Sequence, residues 1–120
     1  MSRKILCVDD SPTIRILVKK TLGSEDYEIL EAENGEEGLK VAQNEDISLF
    51  IVDVNMPVMN GFEFVEGLKK ISKYKSVPAI FLTTESSAEK KEMGKDLGVN
   101  GWVVKPFDPP SLVKVVNMLL

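Results

Sequence analysis

At 120 residues, with 15 basic against 19 acidic side chains and a net charge of −4, the chain is sized for one hydrophobic core. That balance argues against a general binder of nucleic acid or anionic membranes. A composition of 43% hydrophobic and 28% charged residues is that of an ordinary soluble domain. The single cysteine, Cys7, excludes an intramolecular disulfide. The lack of histidine excludes Ser-His-Asp and Cys-His catalysis and His-ligated zinc. No apolar run approaches the roughly 20 residues of a membrane span. Asp9-Asp10 ends the signal-like start at residues 1–8 too early for a secretory leader. These features predict one reduced, cytoplasmic domain over 1–120.

The first apolar run, 5–8, is continuous rather than alternating, as are 49–52, 79–82 and 102–104. Continuous runs of this length mark strands covered on both faces, as in a parallel sheet. The more polar run 28–32 belongs at a sheet edge. Helical spacing fills the intervals. Ile14, Leu17, Val18 and Leu22 form one stripe, with Ser11 as cap and Pro12 at the first helical position. Segment 35–44 is a weaker helix that opens on Asn34 and Glu37, a capping-box spacing, and carries Gly38 for close packing. Phe64, Val65, Leu68 and Ile71 form the next stripe. Segment 86–97 sets Met93 and Leu97 against three lysines and is the weakest. Leu112, Val115, Val116 and Leu119 form the last; Val113 and Leu120 lie off it and add apolar area to the surface. Strands alternating with helices throughout predict an α/β fold, a doubly wound five-stranded parallel sheet with five helices. The expected order is 2-1-3-4-5, flavodoxin-like, with ligands at the carboxyl ends of the first and third strands.

Those strand ends carry the chemistry. The first ends in Asp9-Asp10, the third in Asp53, the fourth in Thr83-Thr84 and the fifth in Lys105-Pro106. Three carboxylates in one crevice repel by several kcal/mol per close pair at an effective dielectric near 20. Such a cluster raises one pKa, recruits a cation, or both. Oxygen ligands without His or Cys favour Mg²⁺. Lys105 brings the opposite charge to the same edge, and Thr83 a hydroxyl suited to a phosphoryl oxygen. Cys7, Met56 and Met59 read as packing residues.

Four segments, CVDDSPT at 7–13, DVNMPVMNG at 53–61, LTTE at 82–85 and WVVKPF at 102–107, together resemble the receiver domain of bacterial two-component response regulators. The likeness covers essentially the whole chain and is greatest to the stand-alone, CheY-like chemotaxis type, since no output domain follows. The resemblance implies that Asp53 is the phosphoacceptor and that Lys105 and Thr83 hold phosphoryl oxygens. It implies a Mg²⁺ site of Asp10, Asp53 and the Asn55 backbone carbonyl, with Asp9 acting mainly through water. Thr83 and Trp102 match the switch pair. Asn55 and Glu85 match positions that set phosphoryl lifetime, so Glu85 substitutions are expected to alter half-life more than phosphorylation. One departure stands out: the aromatic switch position is more often tyrosine or phenylalanine, and Trp102 is larger and has no hydroxyl.

The resemblance further implies a protein that is not a conventional enzyme but assists its own phosphorylation and dephosphorylation. A CheA-like histidine kinase is the implied donor. A target such as the flagellar motor switch engages the 86–120 face, and a phosphatase is a further partner. A monomer with neither nucleic-acid nor membrane partners is expected. The alternative within the family is a stand-alone receiver in a non-motility phosphorelay. A haloacid-dehalogenase-like phosphatase also uses a strand-end aspartate with Mg²⁺. It requires a second acid two residues on, and Asn55 occupies that place. A flavodoxin-like FMN carrier would meet repulsion between its phosphate and Asp9-Asp10.

Overall fold

A computed structural model of the chain describes residues 3–120. The first two positions of the domain expected over 1–120, and of the signal-like start, lie outside the described residues. Five parallel strands, β1 (Arg3–Val8), β2 (Tyr27–Ala32), β3 (Leu49–Val52), β4 (Ala79–Thr83) and β5 (Gly101–Val104), form one sheet in the order β2-β1-β3-β4-β5. Five α-helices join them: α1 (Pro12–Gly23), α2 (Gly35–Asn44), α3 (Gly61–Lys69), α4 (Ala88–Asp96) and α5 (Pro109–Leu119). Order and alternation are those the sequence predicts.

Successive side chains on a strand point to opposite faces, and the core divides accordingly. Leu6, Val8, Phe50, Val52 and Phe81 pack with Ala42 of α2 and with Phe64, Val65 and Leu68 of α3. Ile5, Cys7, Leu49, Ile51, Ile80 and Leu82 pack with Val18 and Leu22 of α1 and with Leu112 and Val116 of α5. Each Val, Leu, Ile or Phe side chain among them contributes about 1.5–3 kcal/mol when fully buried. Two-sided burial is why β1, β3 and β4 read as unbroken apolar runs.

The run at 102–104 is a correction. β5 is the second edge of the sheet, and its residues are half-buried or exposed rather than covered on both faces. Leu17 is a second: it is 40% exposed, because α1 turns only Val18 and Leu22 fully inward. Ile71 lies beyond α3, in the turn leading to a short 3₁₀ segment, Ser72–Tyr74, yet still packs on the core. That segment was not foreseen. It buries Tyr74, whose ring meets Phe50 edge-on at 5.1 Å. Its hydroxyl is shared between the carbonyls of Ala42 and Glu45, both at 2.6 Å. Val113 and Leu120 are half-buried against the core and do not extend the surface; Met118, 76% exposed, supplies apolar area there instead.

Helix starts follow the sequence with one change. The Ser11 hydroxyl accepts from the Ile14 N–H, ahead of Pro12. The Asn34 side chain accepts from the Glu37 N–H, but Glu37 turns to the Glu33 N–H, so the box is not closed on Asn34. The reciprocal capping box sits at α3, between Asn60 and Glu63. Gly38 fits its expected role, since a β carbon there would lie 2.7 Å from Phe64 Cε1.

Candidate functional site

Strand register assembles the site. Val8 pairs with Val52, and Val52 with Phe81, so the residues that follow emerge along one edge. The Asp53 N–H donates to the Val8 carbonyl at 2.9 Å, and the Lys105 N–H to the Thr83 carbonyl at 2.9 Å. These bonds extend the ladder past the strand ends and fix where Asp53 and Lys105 leave the sheet.

One carboxylate oxygen from each of Asp9, Asp10 and Asp53 lies within 4.8 Å of the other two. Asp9 and Asp53 are buried; Asp10 is exposed. The Lys105 ammonium donates to Asp9 Oδ2 at 2.8 Å and lies 3.5 Å from Asp53 Oδ2, with its side chain 11% exposed. Three carboxylates against one ammonium leave a net charge of −2. Hard oxygen donors and that residual charge fit Mg²⁺. The four aspartate and lysine side chains foreseen at this edge are thus brought together, Asp9 as the inner member and Asp10 as the outer.

Burial raises the Asp53 carboxyl above its ordinary pKa, and the neighbouring Asp9 charge raises it further. The Lys105 ammonium, the Thr83 hydroxyl and the Asn55 backbone act the other way without cancelling the rise. The fold therefore disfavours ionised Asp53, and stability follows by linkage. Asp53→Asn is expected to be more stable than the parent at pH 7. That gain is full above the folded-state pKa and shrinks as pH falls towards the unfolded carboxylate value near 4. Urea unfolding at pH 7 and pH 4 checks both the sign and the trend.

Thr83 is fully buried, and its hydroxyl accepts from the Glu85 N–H at 3.2 Å. The Glu85 carbonyl in turn accepts from Trp102 Nε1–H at 2.8 Å. The indole packs edge-on against Phe81 at 5.3 Å and lies 6.5 Å from Phe62. Trp102 is therefore both a packing residue of β5 and joined by its own N–H to the loop after Thr83. Gly94 makes room for it: a β carbon there would come within 3.2 Å of both Phe81 and Trp102. Asn55 is exposed beside the acidic cluster and Glu85 is half-buried. Met56 and Met59 pack on the core, and Cys7 is buried with its thiol pKa pushed up by desolvation.

Two residues of this region were not singled out from the sequence. Gly61 donates to the Val54 carbonyl at 2.9 Å, folding the loop 54–60 back onto the strand end. Its signal was a glycine one turn ahead of an apolar helical stripe. Arg15, a helix arginine one turn after Asp10, reaches back to the carbonyl of Asp9. Within the loop, Val58 holds φ +70° and is 75% exposed, and the Met59 N–H donates to the Pro57 carbonyl at 2.7 Å. This is a three-residue turn of the strained kind, about 1–3 kcal/mol for a branched side chain. The Lys105–Pro106 peptide bond is cis.

Comparison with known proteins agrees with this geometry. The family model described as the response regulator receiver domain matches residues 5–117. Chemotaxis protein CheY1 of Helicobacter pylori is 40% identical over 98% of this chain and 96% of its own. Among solved structures, chemotaxis protein CheY4 of Vibrio cholerae superimposes with a TM-score of 0.95 at 48% identity, covering 100% of both chains. The response regulator TrrA of Thermotoga maritima, solved in complex with Mg²⁺-BeF, gives 0.87 at 38% identity, covering 98% of this chain and 99% of that one.

Proposed function

Because the chain belongs to the response regulator receiver family of two-component signalling switches, we propose that Asp53 is its phosphoacceptor and that a phosphohistidine of a partner kinase is the donor. The observation that carries this reading is the Lys105 ammonium held against both Asp9 and Asp53 at the carboxyl edge of the sheet. An oxygen of Asp53 attacks phosphorus in line. The new O–P bond forms as the N–P bond of the donor imidazole breaks, and that nitrogen leaves with the electron pair. Lys105 releases Asp53 to meet a phosphoryl oxygen, while the Thr83 hydroxyl serves a second one. Asp9, Asp10, Asp53 and the Asn55 carbonyl are the residues that would hold Mg²⁺, which when bound offsets negative charge on the phosphoryl oxygens. The same edge, open to water beside Asn55 and Glu85, is where hydrolysis of the acyl phosphate proceeds. The protein assists both steps without turning over a separate substrate.

The signal leaves the site along the chain Thr83, Glu85, Trp102. When the Thr83 hydroxyl turns to the phosphoryl group, the Glu85 peptide loses its acceptor, and the indole tied to its carbonyl is displaced with it. The motion is a shift between two populations, so a ligand of the output face favours phosphorylation in return. That face includes a cavity of about 300 Å³ between β5 and α5, floored by Val103, Val115 and Leu119 and flanked by Met118. Lys91 and Lys95 of α4 border the neighbouring hollow beneath Trp102. An apolar groove edged by lysines suits an acidic amphipathic segment. The chemotaxis relatives favour a CheA-like kinase as donor and the flagellar motor switch as target; a phosphatase that ends the signal is the further partner of this reading. Among the described residues no helix is long and apolar enough to cross a membrane.

Trp102 emission tests the coupling. Mg²⁺ with beryllofluoride, a phosphoryl mimic, is expected to change the emission of the parent and leave Asp53→Asn unchanged. An equal response in both proteins refutes the coupling.

A further inference from the structure

Arg15 lies in the second turn of α1, yet its side chain runs back towards the carboxyl edge and is only 16% exposed. Its Nη1 donates to the Asp9 carbonyl at 2.6 Å and its Nε to Glu31 Oε1 at 3.1 Å. Lys19 stands 3.8 Å from the other oxygen of Glu31. The guanidinium thus bridges the end of β1 to the end of β2.

The Asp9 carbonyl sits where the sheet gives out. The Val8 carbonyl still takes the Asp53 N–H, and the Asp9 N–H still reaches the Ala32 carbonyl. One atom group further on, no strand continues the ladder. The Asp9 carbonyl shares a rigid plane with the N–H of Asp10. Holding that oxygen sets the plane and therefore the point from which the Asp10 side chain departs. Asp10 is exposed, so packing does little to place it.

We propose that Arg15 is a positioning residue for the cation site: its Nη1 clamps the Asp9–Asp10 peptide so that the Asp10 carboxylate stands beside those of Asp9 and Asp53. The inference rests on the reading of these aspartates as the Mg²⁺ site. Two effects of Arg15 oppose each other there. A guanidinium this close repels a divalent cation, so by charge alone its removal tightens binding. The clamp predicts the reverse, and Glu31, bound to Nε, tempers the repulsion while holding the guanidinium in place.

Calorimetric titration of the full chain with MgCl₂ at pH 7, without phosphodonor, separates the two. Arg15→Ala is expected to weaken Mg²⁺ binding roughly tenfold, the scale of one charge-assisted hydrogen bond. Arg15→Lys, which keeps a donor for the carbonyl, is expected to recover part of the loss. Glu31→Gln, which loosens the guanidinium, is expected to weaken binding two- to threefold, on the order of a neutral hydrogen bond or less. Unchanged or tighter binding in Arg15→Ala overturns the clamp. Should that variant fail to fold, unchanged or tighter binding in both Arg15→Lys and Glu31→Gln overturns it equally. Absence of Mg²⁺ binding by the parent chain refutes the metal reading itself and the inference with it. Binding by the parent with no effect of the variants refutes the inference alone.

Discussion

Lys105→Ala is expected to lower the unfolding free energy at pH 7 by about 3 kcal/mol, the cost of leaving a buried charge without its partner. Two carboxylates depend on this ammonium. Asp9 is 2% exposed and bonded to it at 2.8 Å, and Asp53 lies 3.5 Å away. A surface ion pair would be worth about 0–1 kcal/mol, so the size of the loss itself reports burial. The loss has a pH signature. Without the ammonium the Asp53 carboxyl, already raised by burial and by Asp9, rises further. Its neutral form needs no cation, so the deficit shrinks as pH falls through the variant's folded-state pKa. Mg²⁺ is expected to act in the same direction at neutral pH, because a cation held by the acidic cluster of the folded chain stabilises it by mass action. Urea unfolding at pH 7 and pH 5, with and without MgCl₂, reads all three effects. A deficit indifferent to both pH and Mg²⁺ contradicts the electrostatic account of the site.

Gly61→Ala is expected to cost about 2–3 kcal/mol and a fall in Tm on the order of 10 °C. A β carbon at this position would lie 2.4 Å from the Asp53 carbonyl oxygen and 2.9 Å from Val54 Cα. Both are backbone atoms just past the end of β3, so no side chain can swing away to make room. Relief requires moving either α3 or the segment that carries Asp53. Mg²⁺ binding and phosphoryl incorporation are therefore expected to fall together with stability. Gly67→Ala is the control. There the nearest atom would be Leu39 Cδ1 at 3.3 Å, the flexible end of a side chain. Within a helix the added methyl is worth up to about 1 kcal/mol in propensity, so Gly67→Ala is expected to be neutral or mildly stabilising. Equal losses at both positions contradict the steric argument.

The parts of this architecture legible in the sequence are those set by two-sided burial and by strand ends. β1, β3 and β4 are unbroken apolar runs because helices cover both faces, and the polar residues that stop them are the site itself. Asp9, Asp53, Thr83 and Lys105 could be placed on one edge because alternation of strands and helices fixes where strands end. Long-range contact was not legible. Tyr74 reads as a loop tyrosine until its hydroxyl is seen to serve the carbonyls of Ala42 and Glu45. The exposure of β5 is already implied by the expected order 2-1-3-4-5, which puts it at the second edge; the short apolar run at 102–104, read by itself, pointed the other way. Arg15 looks like any helix arginine, since nothing nearby in the chain announces the Asp9 carbonyl as its acceptor. The capping box at Asn60 and Glu63 was written in the sequence, whereas the partial one at Asn34 looked the same. The difference lies in where one glutamate turns.

The bond between Trp102 Nε1 and the Glu85 carbonyl bears on the one departure from the family's usual switch pair. A phenylalanine cannot make this bond, and a tyrosine hydroxyl stands at a different place on its ring. In this chain the indole N–H meets the Glu85 carbonyl while Gly94 leaves room for the six-membered ring at Cζ3. On the proposed switch reading, that attachment predicts that the loop 84–87 moves with the ring rather than the ring alone.

The central claim is that Asp53 takes the phosphoryl group, and peptide-level mass spectrometry tests it most directly. The parent chain and Asp53→Asn are incubated with a small acyl phosphate, with and without MgCl₂, then trapped in acid and digested. The account predicts one added phosphoryl group on the peptide containing Asp53, dependent on Mg²⁺ and absent from the variant. Phosphate on another residue, or equal incorporation in Asp53→Asn, would contradict it.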